Sequence, residues 1–280
     1  MHASPTLTLI FYCLAIAGFS LVGGLLPNWV KMTHTRTQLV MSLVSGLMLG
    51  VAFYHLLPHS VVLSSSDTPV NDAVWWLMVG LITMLLLLRM FHFHQHDFST
   101  EEHEHHDHGH QHQHAAHNLS WLGIALGLAL HTLIDGVALG AVMLGESAKG
   151  STAALAGFGV FLAILLHKPL DAMSITTIME AGGWNRGARA MTNLAFAFMC
   201  PLGALLFYFG VDLIDPSRDM IVAAALAFSA GAFICIALSD LLPEVHFHSH
   251  DRGKLTLAFL LGIVIAYGIG VVEPAGIHHG

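Results

Sequence analysis

Along the 280-residue chain, long apolar stretches alternate with short polar ones. A helix that crosses a bilayer takes about 20 mostly apolar residues. Stretches of that kind predict eight spans, at roughly 6–30, 38–63, 72–91, 118–144, 152–180, 188–211, 219–244 and 254–273. We number them 1 to 8. Most connections between them are short. The exception, 92–117, is polar and contains eleven histidines. The pattern therefore predicts an all-α integral membrane protein, one membrane domain over 1–280 in place of a soluble core with an anchor.

Polar residues inside the apolar stretches change the picture most. Asp135, Lys168 and Asp171 fall near the centres of their spans. A charge at mid-bilayer costs about 2.5–3.5 kcal/mol on insertion scales, so a partner, a metal or a water-filled path must compensate it. His131 precedes Asp135 by four residues, and His167 precedes Asp171 by four. Residues four apart share a helix face. Each pair is thus an imidazole-plus-carboxylate half-site on one face. Facing each other, the two would offer two nitrogen and two carboxylate ligands, a set suited to zinc or another borderline divalent cation. Interhelical hydrogen bonding would account for one buried histidine. Two in-phase pairs at matching depth favour a metal. Lys168 lies three residues before Asp171 and can pair with it. Its ammonium would repel a second cation, so the expectation is one metal, with Lys168 standing where a second could bind.

Two motifs echo each other. Span 2 holds His55-Leu-Leu-Pro58-His59, and span 7 holds Asp240-Leu-Leu-Pro243-Glu244. The His131/Asp135 and His167/Asp171 pairs echo likewise in spans 4 and 5. Pairing 2 with 7 and 4 with 5 makes spans 1–3 and 6–8 repeats around a central pair, a 3+2+3 plan with inverted repeats. Pro58, Pro169, Pro201 and Pro243 each lack the N–H that would serve the carbonyl four residues earlier. Such freed carbonyls either assist a cation or mark ordinary kinks. Gly123, Gly127, Gly136 and Gly140 form small-x-x-x-small patterns on span 4, which permit close packing.

Charge sets the expected orientation. With the N-terminus outside, the cytoplasmic connections carry Lys31, Arg36, Arg89, Arg186, Arg189, Arg252 and Lys254, against Lys149 and Arg218 on the other side. Seven against two places both termini outside and the 92–117 loop in the cytoplasm. His55 and His59 then lie toward the outer end as an entrance. Asp240 and Glu244, followed by His246, His248 and His250, lie toward the cytoplasm as an exit. The loop histidines His103, His105, His106, His108, His110, His112 and His114 sit in a low-complexity segment, expected to be disordered and to bind metal weakly.

Composition agrees. The chain is 55% hydrophobic and only 10% charged, where soluble domains carry about a quarter charged residues. A net charge of -8 does not suggest nucleic acid as a partner. Cys13, Cys200 and Cys235 all lie in apolar stretches and read as small buried hydrophobes. Met1 is followed by no basic segment, so no cleaved signal peptide is expected. No phosphate-binding loop is present, so neither ATP hydrolysis nor an organic cofactor is expected.

Together these motifs resemble the ZIP (Zrt/Irt-like) family of divalent metal transporters over essentially the whole chain. His131-Thr-Leu-Ile-Asp135-Gly136 is similar to the family's span 4 motif, and His167-Lys168-Pro-Leu-Asp171 to its span 5 motif. The span 2 and span 7 motifs also match. The resemblance implies uptake of zinc, with iron, manganese and cadmium as further candidates, into the cytoplasm. It implies a moving bundle that includes spans 4 and 5, a homodimer in a cell (inner or plasma) membrane, and His131, Asp135, His167 and Asp171 as the primary metal site. Many members have a second acidic ligand where Lys168 stands, and some have Glu where Cys200 stands, so a two-metal centre is not expected. Lys168 resembles a His-Lys variant of one branch. Two alternatives stay open: a cation-diffusion-facilitator-like zinc exporter, although such chains show six spans and a C-terminal domain, and an intramembrane zinc hydrolase, although no His-Glu-x-x-His helix is present.

Overall fold

The computed structural model describes residues 4–26, 34–92, 113–147, 156–211, 213, 217–247 and 252–272. Side chains at 34, 90–92, 113–125, 147 and 240–247 lie outside that description. The described residues are helical with no strand, and eight helices are long and apolar enough to cross a membrane.

Span 1 is Pro5–Leu25, opened by Ser4, whose Oγ accepts the Leu7 N–H, with Pro5 in the first turn. Span 2 is Thr35–Leu63, interrupted by a π-turn at Ala52–Leu56. Span 3 is Pro69–His92. Span 4 lies in the long helix Gln113–Ser147, which begins inside the His-rich segment. Spans 5, 6, 7 and 8 are Phe158–Ala181, Arg186–Val211, Arg218–Phe247 and Arg252–Val272. The central histidines of the loop, His103 to His112, lie outside the described residues, as do His248 and His250. The side chains of His114, Asp240, Glu244 and His246 do too.

The helices sort into two bundles. Span 1 packs on spans 5 and 6, and span 4 on span 6. In the second group span 2 packs on spans 7 and 8, and span 3 on span 7. Lipid offers no hydrophobic drive between helices, so close backbone approach must hold each bundle. Glycines permit it. A Cβ on Gly136 would strike the Cys200 carbonyl, and one on Gly203 would strike the Leu133 carbonyl, so spans 4 and 6 interlock reciprocally. Gly80 and Gly231 interlock spans 3 and 7 in the same way, as do Gly46 and Gly262 for spans 2 and 8. Between the bundles the glycines meet side chains: Gly145 faces Leu63, and Gly159 faces the His55 ring. Packing is thus backbone-tight within each bundle and looser along the seam.

The π-turn follows from Pro58. Without its N–H, the regular bond to Tyr54 is lost, and the Leu57 N–H instead reaches the Ala52 carbonyl. The His59 Nδ1–H donates to the His55 carbonyl at 2.7 Å.

Candidate metal centre

Spans 4 and 5 bring the two half-sites together. His131 Nε2 lies 3.4 Å from Asp135 Oδ2 and 3.4 Å from Asp171 Oδ2. His167 Nε2 lies 3.2 Å from Asp135 Oδ2 and 3.7 Å from Asp171 Oδ2. One ligand atom from each of the four residues falls within 4.8 Å of every other. A tetrahedral zinc with ligands at about 2.05 Å separates neighbouring ligand atoms by about 3.3 Å. The observed nitrogen–oxygen distances bracket that value, so the cluster fits such an ion with little movement.

One of the four, His167, is oriented from behind. The His167 Nδ1–H donates to the Ala163 carbonyl at 2.8 Å, within its own helix. A carbonyl can only accept, so this bond fixes the tautomer and turns the Nε2 lone pair inward. Asp135 is fully buried and Asp171 is 19% exposed. Asp135 Oδ1 and His131 Nδ1 are buried without a hydrogen-bond partner. A buried carboxylate oxygen without a partner is costly, as expected of a group with spare capacity for a cation.

Lys168 completes the cluster. It is 1% exposed, with Nζ 2.6 Å from Asp135 Oδ2, 3.2 Å from Asp171 Oδ2 and 2.8 Å from Thr132 Oγ. The Phe196 ring of span 6 lies 5.4 Å away. The Thr132 hydroxyl itself donates to the Leu128 carbonyl at 2.7 Å, which leaves its lone pairs for the ammonium. Sequence spacing foresaw the Asp171 contact. The shorter one, to Asp135 on another helix, and the Thr132 contact were not visible along the chain.

A cavity of about 250 Å³ reaches the cluster along the seam between the bundles. His131, His167 and Asp171 line its inner end, and Ser174, Ile178 and Ser239 lie along it. Met41, Met48 and Met84 supply much of its apolar wall. Ser239 directly precedes Asp240, so the cavity runs toward the helix end that carries the span 7 motif.

In the opposite direction apolar side chains pack over the site among the described residues. Ala138, Leu139 and Val142 of span 4 pack with Val160, Phe161 and Ile164 of span 5 in the apolar core. Tyr12 stacks on Phe161 with ring centroids 4.0 Å apart. His55 and His59 lie beyond this layer. Gly159 touches the His55 ring and is eight residues from His167, about 12 Å along a helix axis. The structure does not bring these histidines together with the central cluster. The His55 Nε2–H donates to the Ala266 carbonyl of span 8 at 2.9 Å. His59 Nε2 lies 3.8 Å from Glu146 Oε1, whose other oxygen accepts the Gly157 N–H at 2.9 Å. Gly157, at φ 65°, caps span 5 in the left-handed region that glycine adopts without strain. The pairing of Glu146 with His59 had no signal in the sequence, since they are 87 positions apart.

A polytopic α-helical membrane protein with a buried two-histidine, two-aspartate cluster suited to a divalent metal is the class that this fold and site define. Comparison with known proteins narrows it. A family model described as ZIP Zinc transporter matches residues 89–272, and the chain belongs to that family. It is 30% identical over 167 residues to "Zinc transporter ZIP9" of Micropogonias undulatus, covering 55% of this chain and 51% of the relative. It is 32% identical over 154 residues to "Zinc transporter ZIP9" of Macaca fascicularis, covering 50% and 63%. It is 30% identical over 151 residues to "Zinc transporter foi" of Drosophila melanogaster, covering 54% and 19%. The chain spans about half the length of the first of these relatives. The relatives carry the names of transporters, not of enzymes.

Proposed function

We propose that this chain carries divalent metal, zinc foremost and with iron, manganese and cadmium as further candidates, into the cytoplasm by alternating access. The substrate ion is held one at a time by His131, Asp135, His167 and Asp171. The observation that carries this reading is the convergence of four ligand atoms within 4.8 Å of one another at the inner end of a cavity, with apolar packing on the other side among the described residues.

Topology follows the charge bias, with both termini outside. The cavity then opens to the cytoplasm, and the described conformation is the one that releases metal. The 3+2+3 plan is supported by packing. Exchanging span 1 with 6, 2 with 7, 3 with 8 and 4 with 5 maps the 2–8 contact onto 7–3, and the 1–5 contact onto 6–4. Each glycine-locked bundle moves as a body, and the side-chain seam between them slides. In this cycle spans 1, 4, 5 and 6 carry the ion. The Tyr12–Phe161 layer opens outward, and metal enters past His59 and Glu146. The protein works as a homodimer in a cell (inner or plasma) membrane. Asp240, Glu244 and the histidines after them receive the ion at the exit, and the His-rich loop 92–117 holds metal weakly.

Lys168 sets the stoichiometry and the affinity. With neutral imidazoles, Asp135, Asp171 and Lys168 sum to one negative charge. Two unit charges about 4 Å apart interact by about 4 kcal/mol at an effective dielectric near 20. The ammonium therefore keeps a second cation out and loosens the first, which suits a carrier that must let go.

Zinc uptake into proteoliposomes tests the proposal. Asp135→Ala and His167→Ala are expected to reduce uptake at least tenfold at unchanged protein content. Uptake equal to the parent in both variants would sink the central-site model.

A further inference from the structure

A second cleft, of about 520 Å³, lies among the ends of spans 1, 5 and 6, away from the metal cluster. Gly24, Thr176, Arg186, Arg189 and Asn193 line it. We propose that it binds the headgroup of an anionic lipid, a phosphodiester that carries a free hydroxyl, from the cytoplasmic leaflet.

Four observations carry this. The first is charge. The Arg186 guanidinium is exposed and has no acidic partner among the described residues. Arg189 spends one nitrogen on Glu180, with Nη1 to Oε2 at 2.7 Å, and keeps a buried Nε without a partner. Two guanidinium groups against one carboxylate leave a net positive cleft, with planar donors shaped for phosphate oxygens.

The second is an unmet acceptor. Asn193 is 3% exposed. Its Nδ2–H donates to the Leu21 carbonyl at 3.1 Å, which fixes the orientation of the amide. Its Oδ1 is then buried with no donor. An orphaned buried acceptor in a positive cleft asks for a hydroxyl next to an anion. A phosphodiester without a hydroxyl, which has no proton to give, would not satisfy it.

The third is local order. Gly24 sits so close to the Asn193 amide that any Cβ there would overlap it, so this glycine shapes the floor of the cleft. The fourth is level. Span 1 ends here, span 5 ends at Ala181 and span 6 begins at Arg186, with Trp184 in the turn between. Tryptophan is enriched where bilayer meets water. Basic pockets between helices at that level are where anionic headgroups bind. Span 5 ends one side of the cleft and holds His167 and Asp171 further along, so an occupant would bear on the bundle that holds the metal.

Headgroup and free phosphate share the same anion chemistry, and the test separates them. The 280-residue chain in neutral detergent is titrated with dioctanoyl phosphatidylglycerol, phosphatidylmethanol (a diester without a hydroxyl), phosphatidylcholine or inorganic phosphate, and binding is counted by native mass spectrometry. Phosphatidylglycerol is expected to bind at least tenfold more tightly than phosphatidylcholine and severalfold more tightly than phosphatidylmethanol, and to resist 10-fold excess phosphate. Arg186→Gln is expected to lose most of that preference, and Arg186→Lys to keep part of it. Arg186 is exposed, so an unchanged melting temperature in phosphatidylcholine serves as the folding control. Equal binding of phosphatidylglycerol and phosphatidylcholine by the parent would overturn the site. Equal binding of phosphatidylmethanol would overturn the role of the hydroxyl. Displacement by phosphate would make this a soluble-anion site and overturn the lipid. None of these readings depends on metal transport, so failure here and failure of the transport proposal stay distinct.

Discussion

Asp135 joins more of the cluster than its single charge suggests. Its Oδ2 lies within 3.4 Å of His131, His167 and Lys168, three side chains from two helices. Removing one partner of a buried ion pair costs about 3–5 kcal/mol, because the other charge stays buried. Asp135→Asn is therefore expected to lower stability by an amount of that order, eased somewhat by Asp171, as read from thermal unfolding in detergent. Asp135→Asn combined with Lys168→Met should recover much of the loss, since the orphaned ammonium goes with its partner. Lys168 has its own signature. Lys168→Met should tighten zinc binding at least tenfold by calorimetry and slow turnover, because the opposing charge is gone. Lys168→Glu should let a second zinc be counted per chain by elemental analysis. Unchanged stoichiometry would deny Lys168 its place as stand-in for a second ion.

At the scale of the helix, the reciprocal glycine pairs determine which helices pack backbone to backbone. Gly203 meets the Leu133 carbonyl and Gly136 the Cys200 carbonyl, and backbone on both sides cannot yield as a flexible side chain can. Overpacking a well-filled interface typically costs about 1–3 kcal/mol. Gly203→Val is expected to reach or exceed that range in thermal unfolding. Gly18→Ala and Gly268→Ala, where a Cβ meets nothing within 4 Å, should unfold like the parent. A similar melting temperature for all three would remove the case for rigid bundles. The π-turn at Ala52–Leu56 is another local consequence of one residue, Pro58. It presents His55 to span 8 and His59 to Glu146.

For the whole molecule, the asymmetry of access matters most. The cavity runs from His131 and Asp171 past Ser174 toward Ser239, while apolar packing closes the other side. Cys13, Cys200 and Cys235 are buried and form no disulfide, so they can be replaced to give a cysteine-free background. Ser174→Cys in that background should react with a membrane-impermeant thiol reagent added on the cytoplasmic side, and zinc should protect it. Reaction only from the outer side would reverse the assigned orientation.

The sequence by itself determined the eight helices, because lipid leaves a chain few alternatives to about 20 apolar residues in helical form. It also determined the two half-sites, because a spacing of four fixes a shared face on any helix. Lys168 was legible for the same reason, as the i, i+3 partner of Asp171. What lay between helices was not legible. Which helix faces which depends on where backbones can touch, and that was decided by pairs such as Gly136 and Gly203, far apart in the chain. The contact of Lys168 with Asp135 and Thr132 came from that packing, as did the partnership of His59 with Glu146 and the apolar layer that separates them from the metal cluster. Local periodicity carries no record of such distances, so only the tertiary structure decided how the half-sites meet and from which side they are reached.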